Sequence, residues 1–155
     1  MESNIPILDM ALRLAVGAGL ALFVGLEREL RGKPAGLRSH MLVALGSAAF
    51  IIMGFDVLYG IPDSDATAKL DPTRIIQGVI GGIGFLGAGS IIRSGGEIRG
   101  ITTGASIWLA GSIGVAAGIH NFPLAIMITV LALIIMSAMG HFERCVIAEH
   151  KADND

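Results

Sequence analysis

The chain has 155 residues, of which 53% are hydrophobic and 15% charged, with a mean hydropathy of +0.72 and a formal net charge of -2. Soluble domains carry about 25% charged residues, so this composition excludes an ordinary soluble domain and indicates a membrane protein. The small net charge gives no reason to expect a nucleic-acid partner, and the single Cys145 excludes an internal disulfide and argues against a redox motif.

Five apolar segments are long enough, or nearly so, to span a membrane: approximately 7–26, 41–59, 73–92, 102–119 and 122–140. The first contains Asp9 and Arg13 and follows a leader without Lys or Arg, so we expect a retained helix rather than a cleaved signal peptide. The sequence predicts an all-α membrane protein: a bundle of five transmembrane helices over residues 1–140, with 141–155 as a short polar tail.

Local signals set the predicted helix boundaries. Gly32 and Pro34 should end the first helix, because glycine relaxes its last turn and proline cannot continue it. Asp71 followed by Pro72 should cap and open the third helix. The fourth should be capped by Thr102 or Thr103, and the tight turn at 121–123 should lead into the fifth.

The distribution of Lys and Arg predicts the orientation. In the five-helix arrangement, Lys69 and Arg74 alone lie on the side opposite most basic residues, so the basic side should be cytoplasmic and the N-terminus outside. An alternative with four spans, in which helix four or five lies at the interface, would weaken this bias. The residues on the basic side are Arg28, Arg31, Lys33, Arg38, Arg93, Arg99, Arg144 and Lys151.

Glycines recur at regular spacings in the predicted helices. In lipid, small residues allow helix backbones to approach closely. We therefore expect helices one, three and four to form the tight centre and helix five to be more exposed to lipid. The same seams could instead face a second copy in a homo-oligomer. The candidate packing glycines are Gly17 in helix one, Gly78, Gly81, Gly84 and Gly87 in helix three, and Gly104, Gly111 and Gly118 in helix four.

Helix one carries a polar stripe. Asp9 and Arg13 are one turn apart and can pair, while Glu27 lies five turns from Asp9 on the same face. Ionisable residues within a membrane are costly and indicate a functional site. The alternative is that the Asp9–Arg13 pair only fixes helix packing.

The segment that follows the stripe concentrates both signs of charge. Glu27 and Arg31 are spaced to pair, and Arg28 and Glu29 point to other faces, so this helix end must reach water or meet other charged groups. The hypothesis is a charged network on the cytoplasmic face that binds an anion, a lipid headgroup or a protein; the alternative is a solvated anchor. With the stripe, the candidate residues are Asp9, Arg13, Glu27, Arg28, Glu29, Arg31, Arg38, Arg93, Glu97 and Arg99.

Other motifs carry little chemistry. The G-x-G-x-x-G pattern of Gly82, Gly84 and Gly87 lies inside an apolar span without a preceding strand, so we interpret it as packing rather than nucleotide binding. We expect no enzyme activity, no cofactor and no metal site. The weak candidates considered were Asp56, the acidic group Asp63, Asp65 and Asp71, the isolated His40, His120, His141 and His150, and Trp108, which we assign to packing.

Two stretches, residues 25–46 and 71–118, resemble the MgtC/SapB family of bacterial inner-membrane proteins. The first stretch matches the family motif at Glu27, Arg28, Glu29, Arg31, Gly32, Lys33, Gly36, Arg38 and His40. The second matches at Asp71, Pro72, Arg74, Gly84, Phe85, Gly87, Gly89, Arg93, Arg99, Gly100, Thr102 and Thr103.

The resemblance implies a five-helix domain in the inner membrane, linked to growth at low magnesium and to virulence adaptation. It implies a regulator that acts through membrane protein partners such as the ATP synthase; the alternative is an oligomeric transporter or channel for magnesium or another ion. Longer members carry a soluble domain after helix five, whereas about fifteen polar residues follow Gly140 here, so the resemblance is to a short form.

Overall fold

The computed structural model describes residues 4–60, 71–94 and 96–152, with side chains described for 4–60, 71–93 and 96–138. Predictions that involve Asp63, Asp65, Lys69 and the side chains of His141, Arg144, Cys145, His150 and Lys151 lie outside the described residues. The helices are α1 (Ile7–Leu30), α2 (Leu37–Tyr59), α3 (Pro72–Gly89), α4 (Ile101–Gly118) and α5 (Phe122–Ala152). A short antiparallel hairpin, β1 (Ile92–Ser94) and β2 (Glu97–Arg99), joins α3 to α4 with Arg93 opposite Ile98.

The protein is an all-α membrane protein. Its surface exposes many large apolar side chains, among them Phe85, Leu131 and Phe50, which a soluble monomer rarely presents in such number. By length and composition, α1, α2 and α4 can each cross a membrane, and the apolar part of α5, Phe122–Ala138, is shorter. The count of five spans stays a prediction.

The glycine signal at the end of α1 acts as predicted. Gly32 has a φ of 62°, a left-handed conformation that glycine adopts without strain. Its amide donates to the Glu29 carbonyl at 3.0 Å, and the Lys33 amide donates to the Arg28 carbonyl at 3.0 Å. This pair of bonds is a Schellman motif, which satisfies carbonyls at the helix end and turns the chain towards α2.

Of the two capping predictions, one is confirmed and one is wrong. Asp71 accepts a hydrogen bond from the Thr73 amide at 2.9 Å and caps α3 as expected. At α4 the prediction of a threonine cap is wrong, because the N-cap is Gly100, with a φ of 90° and no side-chain cap. An added Cβ at Gly100 would overlap the Ser90 carbonyl, so glycine is required where the hairpin crosses the end of α3.

Two helices are longer than expected. The second begins at Leu37 rather than near 41, so Arg38 and His40 belong to its first turn. The backbone of α5 continues to Ala152, past the predicted boundary near 140. The predicted polar tail is therefore largely a continuation of α5.

Helix α4 is the centre of the bundle and packs against all four other helices. Its most extensive contact is with α2, which packs equally closely against α1, so the expected centre of helices one, three and four was wrong in leaving out α2. The contact with α2 depends on Gly114, where a Cβ would overlap the Ala44 carbonyl and lie 2.8 Å from the Ala44 Cα. Small residues on α1 and α4 let these three backbones meet closely.

The glycines of α3 do not form one seam. Only Gly87 approaches another helix, at Gly104 of α4, whereas a Cβ at Gly78, Gly81 or Gly84 would meet nothing within 4 Å. Within one chain, the packing prediction for these three glycines is therefore wrong. The reason is geometric: each step of three residues turns the position by about 60° on a helix of 3.6 residues per turn, so Gly78 and Gly87 lie on opposite faces.

The remaining predicted glycines lie at helix contacts. Gly17 of α1 lies against Ala117, where a Cβ would be 3.3 Å from the alanine Cβ. Gly111 faces the flexible end of Ile83, and Gly118 faces Ile51. Of the eight candidate glycines, those that meet another helix are thus on α1, on α4 and at the end of α3.

Candidate functional site

Arg28 anchors the end of the bundle where α1 leads into α2. Arg28 is only 3% exposed. Its Nη2 donates to the Pro34 carbonyl at 3.0 Å and to the Thr103 Oγ1 at 2.5 Å. The guanidinium therefore ties α1, the following turn and the start of α4 together. Its Nε is buried and has no hydrogen-bond partner among the described residues.

Glu29 has a structural role at the same turn. Its Oε2 accepts a hydrogen bond from the Leu37 amide at 2.8 Å, and so caps α2, whose own N-cap Gly36 has no side chain. A Cβ at Gly36 would lie 2.6 Å from that carboxylate oxygen. At Gly25 a Cβ would lie 2.7 Å from the Leu37 Cα, so glycine is needed there, whereas at Gly36 the flexible end of Glu29 would have to move.

Glu27 and Arg31 form the predicted i,i+4 ion pair at 2.5 Å, with both side chains partly buried. They line a cavity of about 860 Å³ that also includes Arg28, Lys33 and Arg99. We call this space the basic cavity. Its polar wall holds four basic side chains and one carboxylate, so it is suited to bind an anion.

The structure brings only part of the predicted network to this cavity. Arg99 reaches it from the hairpin, while it also forms an exposed ion pair with Glu97 at 2.7 Å. Arg38 and Arg93 are exposed and lie outside the cavity lining. Glu29, another candidate of the predicted network, is not part of the cavity lining, and its carboxylate is bound to the start of α2.

A second polar cluster lies at the opposite end of α1. Asp9 pairs with Arg13 as predicted and also accepts from the His120 Nδ1 at 2.9 Å. Arg13 donates through Nη1 to the Gly118 carbonyl at 2.9 Å, where a cation complements the end of the α4 dipole. His120 has a φ of 64°, a conformation that is uncommon for a residue other than glycine. This cluster fixes α1 to the C-terminus of α4.

The two polar clusters are not connected through α1. Asp9 and Glu27 are eighteen residues apart, about 27 Å along a helix. Between them the buried face carries Gly17, Ala21 and Val24, packed against small residues of α2 and α4. The predicted stripe is thus divided by apolar packing within the chain.

Sequence reasoning missed three residues. Thr103 accepts from Arg28 instead of capping α4, and His120 meets Asp9 across 111 positions. His40 is fully buried, with its Nδ1 2.8 Å from the Gly36 carbonyl and its Nε2 without a partner. An imidazole nitrogen next to a carbonyl carries a proton, so in the neutral ring Nε2 is an acceptor. No local spacing signals these contacts; only the match of His40 and Thr103 to the family motifs singles them out.

Among the described residues, no group of three or more His, Cys, Asp or Glu side chains is placed to hold a metal ion. Outside the helices, the hydrogen bond from the Thr73 hydroxyl, followed by that from its amide, holds the pKa of Asp71 below its ordinary value. That carboxylate is engaged in capping α3.

Comparison with known proteins gives a consistent result. The sequence model of the MgtC family matches residues 14–145. The chain is 39% identical to "Putative magnesium transporter YhiD" of Escherichia coli K12 over 130 residues, which cover 83% of this chain and 59% of the relative. It is 38% identical to "Protein MgtC" of Salmonella typhimurium over 133 residues, covering 86% and 53%.

A third relative is "Protein SapB" of Bacillus subtilis, 37% identical over 111 residues, which cover 71% of this chain and 47% of the relative. The chain thus spans about half the length of the curated relatives it matches. No solved structure matches the chain.

Proposed function

The chain belongs to the MgtC family, and on that premise we propose that it is a regulator in the bacterial inner membrane that acts through another membrane protein when magnesium is limiting. The link to magnesium is supported by the relative named as a putative magnesium transporter. A connection with virulence adaptation, which the family resemblance implies, belongs to the same proposal.

The observation that carries the proposal is a lateral groove of about 630 Å³ between α2 and α3. Its lining includes Gly46, Gly78 and Gly82 together with the large apolar side chains of Phe50 and Leu86. In lipid, a helix surface of this kind allows the backbone of another helix to approach closely. We propose that a transmembrane helix of the partner lies in this groove.

We propose the same orientation that the sequence predicts. One end of the bundle, formed by the turn after α1 and the start of α4, holds four basic residues: Arg28, Arg31, Lys33 and Arg99. Arg74 is at the other end, near the start of α3. The positive-inside bias therefore supports a cytoplasmic basic cavity, an external N-terminus and a cytoplasmic C-terminus.

The test is capture of a defined partner. We would purify the tagged chain from mild detergent and detect the membrane ATP synthase, the partner that the family resemblance suggests. Gly78→Leu with Gly82→Leu would fill the groove and abolish co-purification. Gly19→Leu is the matched control, because a Cβ at Gly19 also meets nothing within 4 Å but lies on α1, outside the groove lining. Recovery of the chain alone across several detergents would overturn the hetero-partner and leave a homo-oligomer.

A second candidate is an oligomeric transporter for magnesium or another ion, favoured by the Asp9–Arg13 pair within the first helix. The apolar packing between Asp9 and Glu27 means that any pathway would have to lie between subunits. Purified protein in liposomes should then carry an ion flux that Asp9→Asn abolishes. No flux under an imposed magnesium or proton gradient would exclude this candidate.

A further inference from the structure

The basic cavity has the charge of an anion site. Arg28, Arg31, Lys33 and Arg99 line it, and the one carboxylate, Glu27, is already paired with Arg31 at 2.5 Å. Arg99 is paired with the exposed Glu97, outside the lining, so Arg28 and Lys33 are the lining cations without a carboxylate partner among the described residues. A ligand that carries negative charge would therefore be attracted into this space.

The start of α4 opens into the same cavity. Gly100, Ile101, Thr102 and Thr103 all line it, and the N-cap provides no side-chain hydrogen bond. The first hydrogen bond of the helix backbone is donated by the Gly104 amide to the Gly100 carbonyl at 2.9 Å. The three amides before Gly104 therefore have no acceptor within the helix. Such amides, together with the positive end of the helix dipole, bind phosphate and other anions.

A buried donor in the lining is also unused. Arg28 is 3% exposed and lines the cavity, yet its Nε has no hydrogen-bond partner in the described structure. Leaving a charged group's buried donor unpaired costs free energy, and a ligand or a water molecule that accepts from it would recover that cost. This observation is independent of the helix terminus and shows that one wall of the cavity holds a guanidinium whose hydrogen bonds are incomplete.

The other wall of the cavity is apolar. It is formed by Ile98, Ile101, Ile135 and Met136, and the three isoleucines are more than half exposed. A free inorganic ion would gain nothing from this wall. An amphiphile with an anionic head and hydrocarbon chains could contact both walls at once.

We propose that the basic cavity binds a phosphate group, supplied by the headgroup of an anionic phospholipid whose acyl chains lie along the isoleucine wall. The phosphate accepts hydrogen bonds from the first-turn amides of α4 and meets the charges of Lys33 and Arg99. Arg28, held by Thr103 and Pro34, is the fixed part of the site. This inference does not depend on the groove between α2 and α3 or on its partner.

The experiment is a lipid titration of the full chain in neutral detergent, with thermal unfolding as the readout. Phosphatidylglycerol is compared with phosphatidylcholine, whose phosphate is neutralised by its own choline, and with inorganic phosphate. The test variant is Lys33→Gln with Arg99→Gln. The matched control is Arg38→Gln with Arg93→Gln, which removes the same charge from exposed positions outside the cavity lining.

Phosphatidylglycerol should raise the unfolding temperature of the wild type more than phosphatidylcholine does. Each cation near an anionic headgroup contributes roughly fivefold in affinity, so the test variant should need about 25-fold more lipid, and the control less than about twofold more. Lys33→Gln alone, at an exposed position, should show about a fivefold loss if the double variant is unstable.

In another outcome, inorganic phosphate stabilises the wild type as much as phosphatidylglycerol does and fails to stabilise the test variant. That result would support the phosphate site, with soluble phosphate rather than lipid as the source. The proposal is overturned if neither anion stabilises the protein more than phosphatidylcholine. It is also overturned if both double variants weaken binding equally, because the effect would then be general surface charge.

Discussion

The hydrogen bond between Arg28 and Thr103 leads to the most direct test of the candidate site. Thr103 is 3% exposed, and its hydroxyl accepts from a guanidinium that lies on another helix. Thr103→Val keeps the β-branched shape and removes the acceptor, so it should leave no large cavity. The buried guanidinium would then keep only the Pro34 carbonyl as a described acceptor.

The expected magnitude follows from that geometry. A hydrogen bond to a charged group contributes about 1.5–3 kcal/mol, and removing one partner leaves the other buried. For a chain of this size, each kcal/mol changes the unfolding temperature by about 2–4 °C. We therefore expect Thr103→Val to lower that temperature by about 3–12 °C in detergent, measured by circular dichroism.

Thr102→Val is the matched control, because Thr102 is the neighbouring threonine and is exposed. It should change the unfolding temperature by about 1 °C or less, as exposed substitutions usually do. Equal unfolding temperatures for the two variants would refute the reasoning that Arg28 depends on Thr103. A larger fall in unfolding temperature for Thr102→Val than for Thr103→Val would instead support the threonine cap of α4 that the sequence predicted.

Three further predictions concern packing, charge and pH. Gly114→Ala should destabilise the protein by about 1–3 kcal/mol through overpacking against α2, whereas Gly81→Ala should be neutral or slightly stabilising, because its Cβ enters open space. Glu27→Ala should cost about 1–3 kcal/mol, more than Lys33→Ala, because it leaves a partly buried guanidinium unpaired. The pKa of Asp71 is held below 3.8 in the folded protein, so its stabilising effect is present above that pH and is lost as the pH falls through the lowered value. Asp71→Asn, which still caps a helix, should reduce the loss of stability on acidification.

Thermal unfolding in detergent measures all three. Equal effects at Gly114 and Gly81 would contradict the described contact between α2 and α4. Equal and negligible effects of Glu27→Ala and Lys33→Ala would mean that this segment is only a solvated anchor. An unchanged acid transition in Asp71→Asn would show that the Asp71 cap has no part in the pH dependence.

The sequence by itself determined the features that depend on neighbouring residues. The hydrocarbon content indicated the membrane class, because a long apolar helix satisfies its own backbone groups and is therefore stable in lipid, where no water can bond to them. The end of α1 at Gly32 and the start of α3 at Asp71 were predictable, since a cap involves groups within a few residues. The pairs Asp9–Arg13 and Glu27–Arg31 were predictable for the same reason.

Tertiary structure alone decided which groups meet across the bundle. Arg28 and Thr103 are 75 positions apart, and nothing in their local spacing indicates that one binds the other. The glycine repeat of α3 showed that small residues were present, but the helix rotation placed only Gly87 against α4. The basic cavity arises because the turn after α1 and the base of the hairpin meet at the start of α4. Relative rotation and crossing of helices set all three, and neither is encoded in the spacing within one helix.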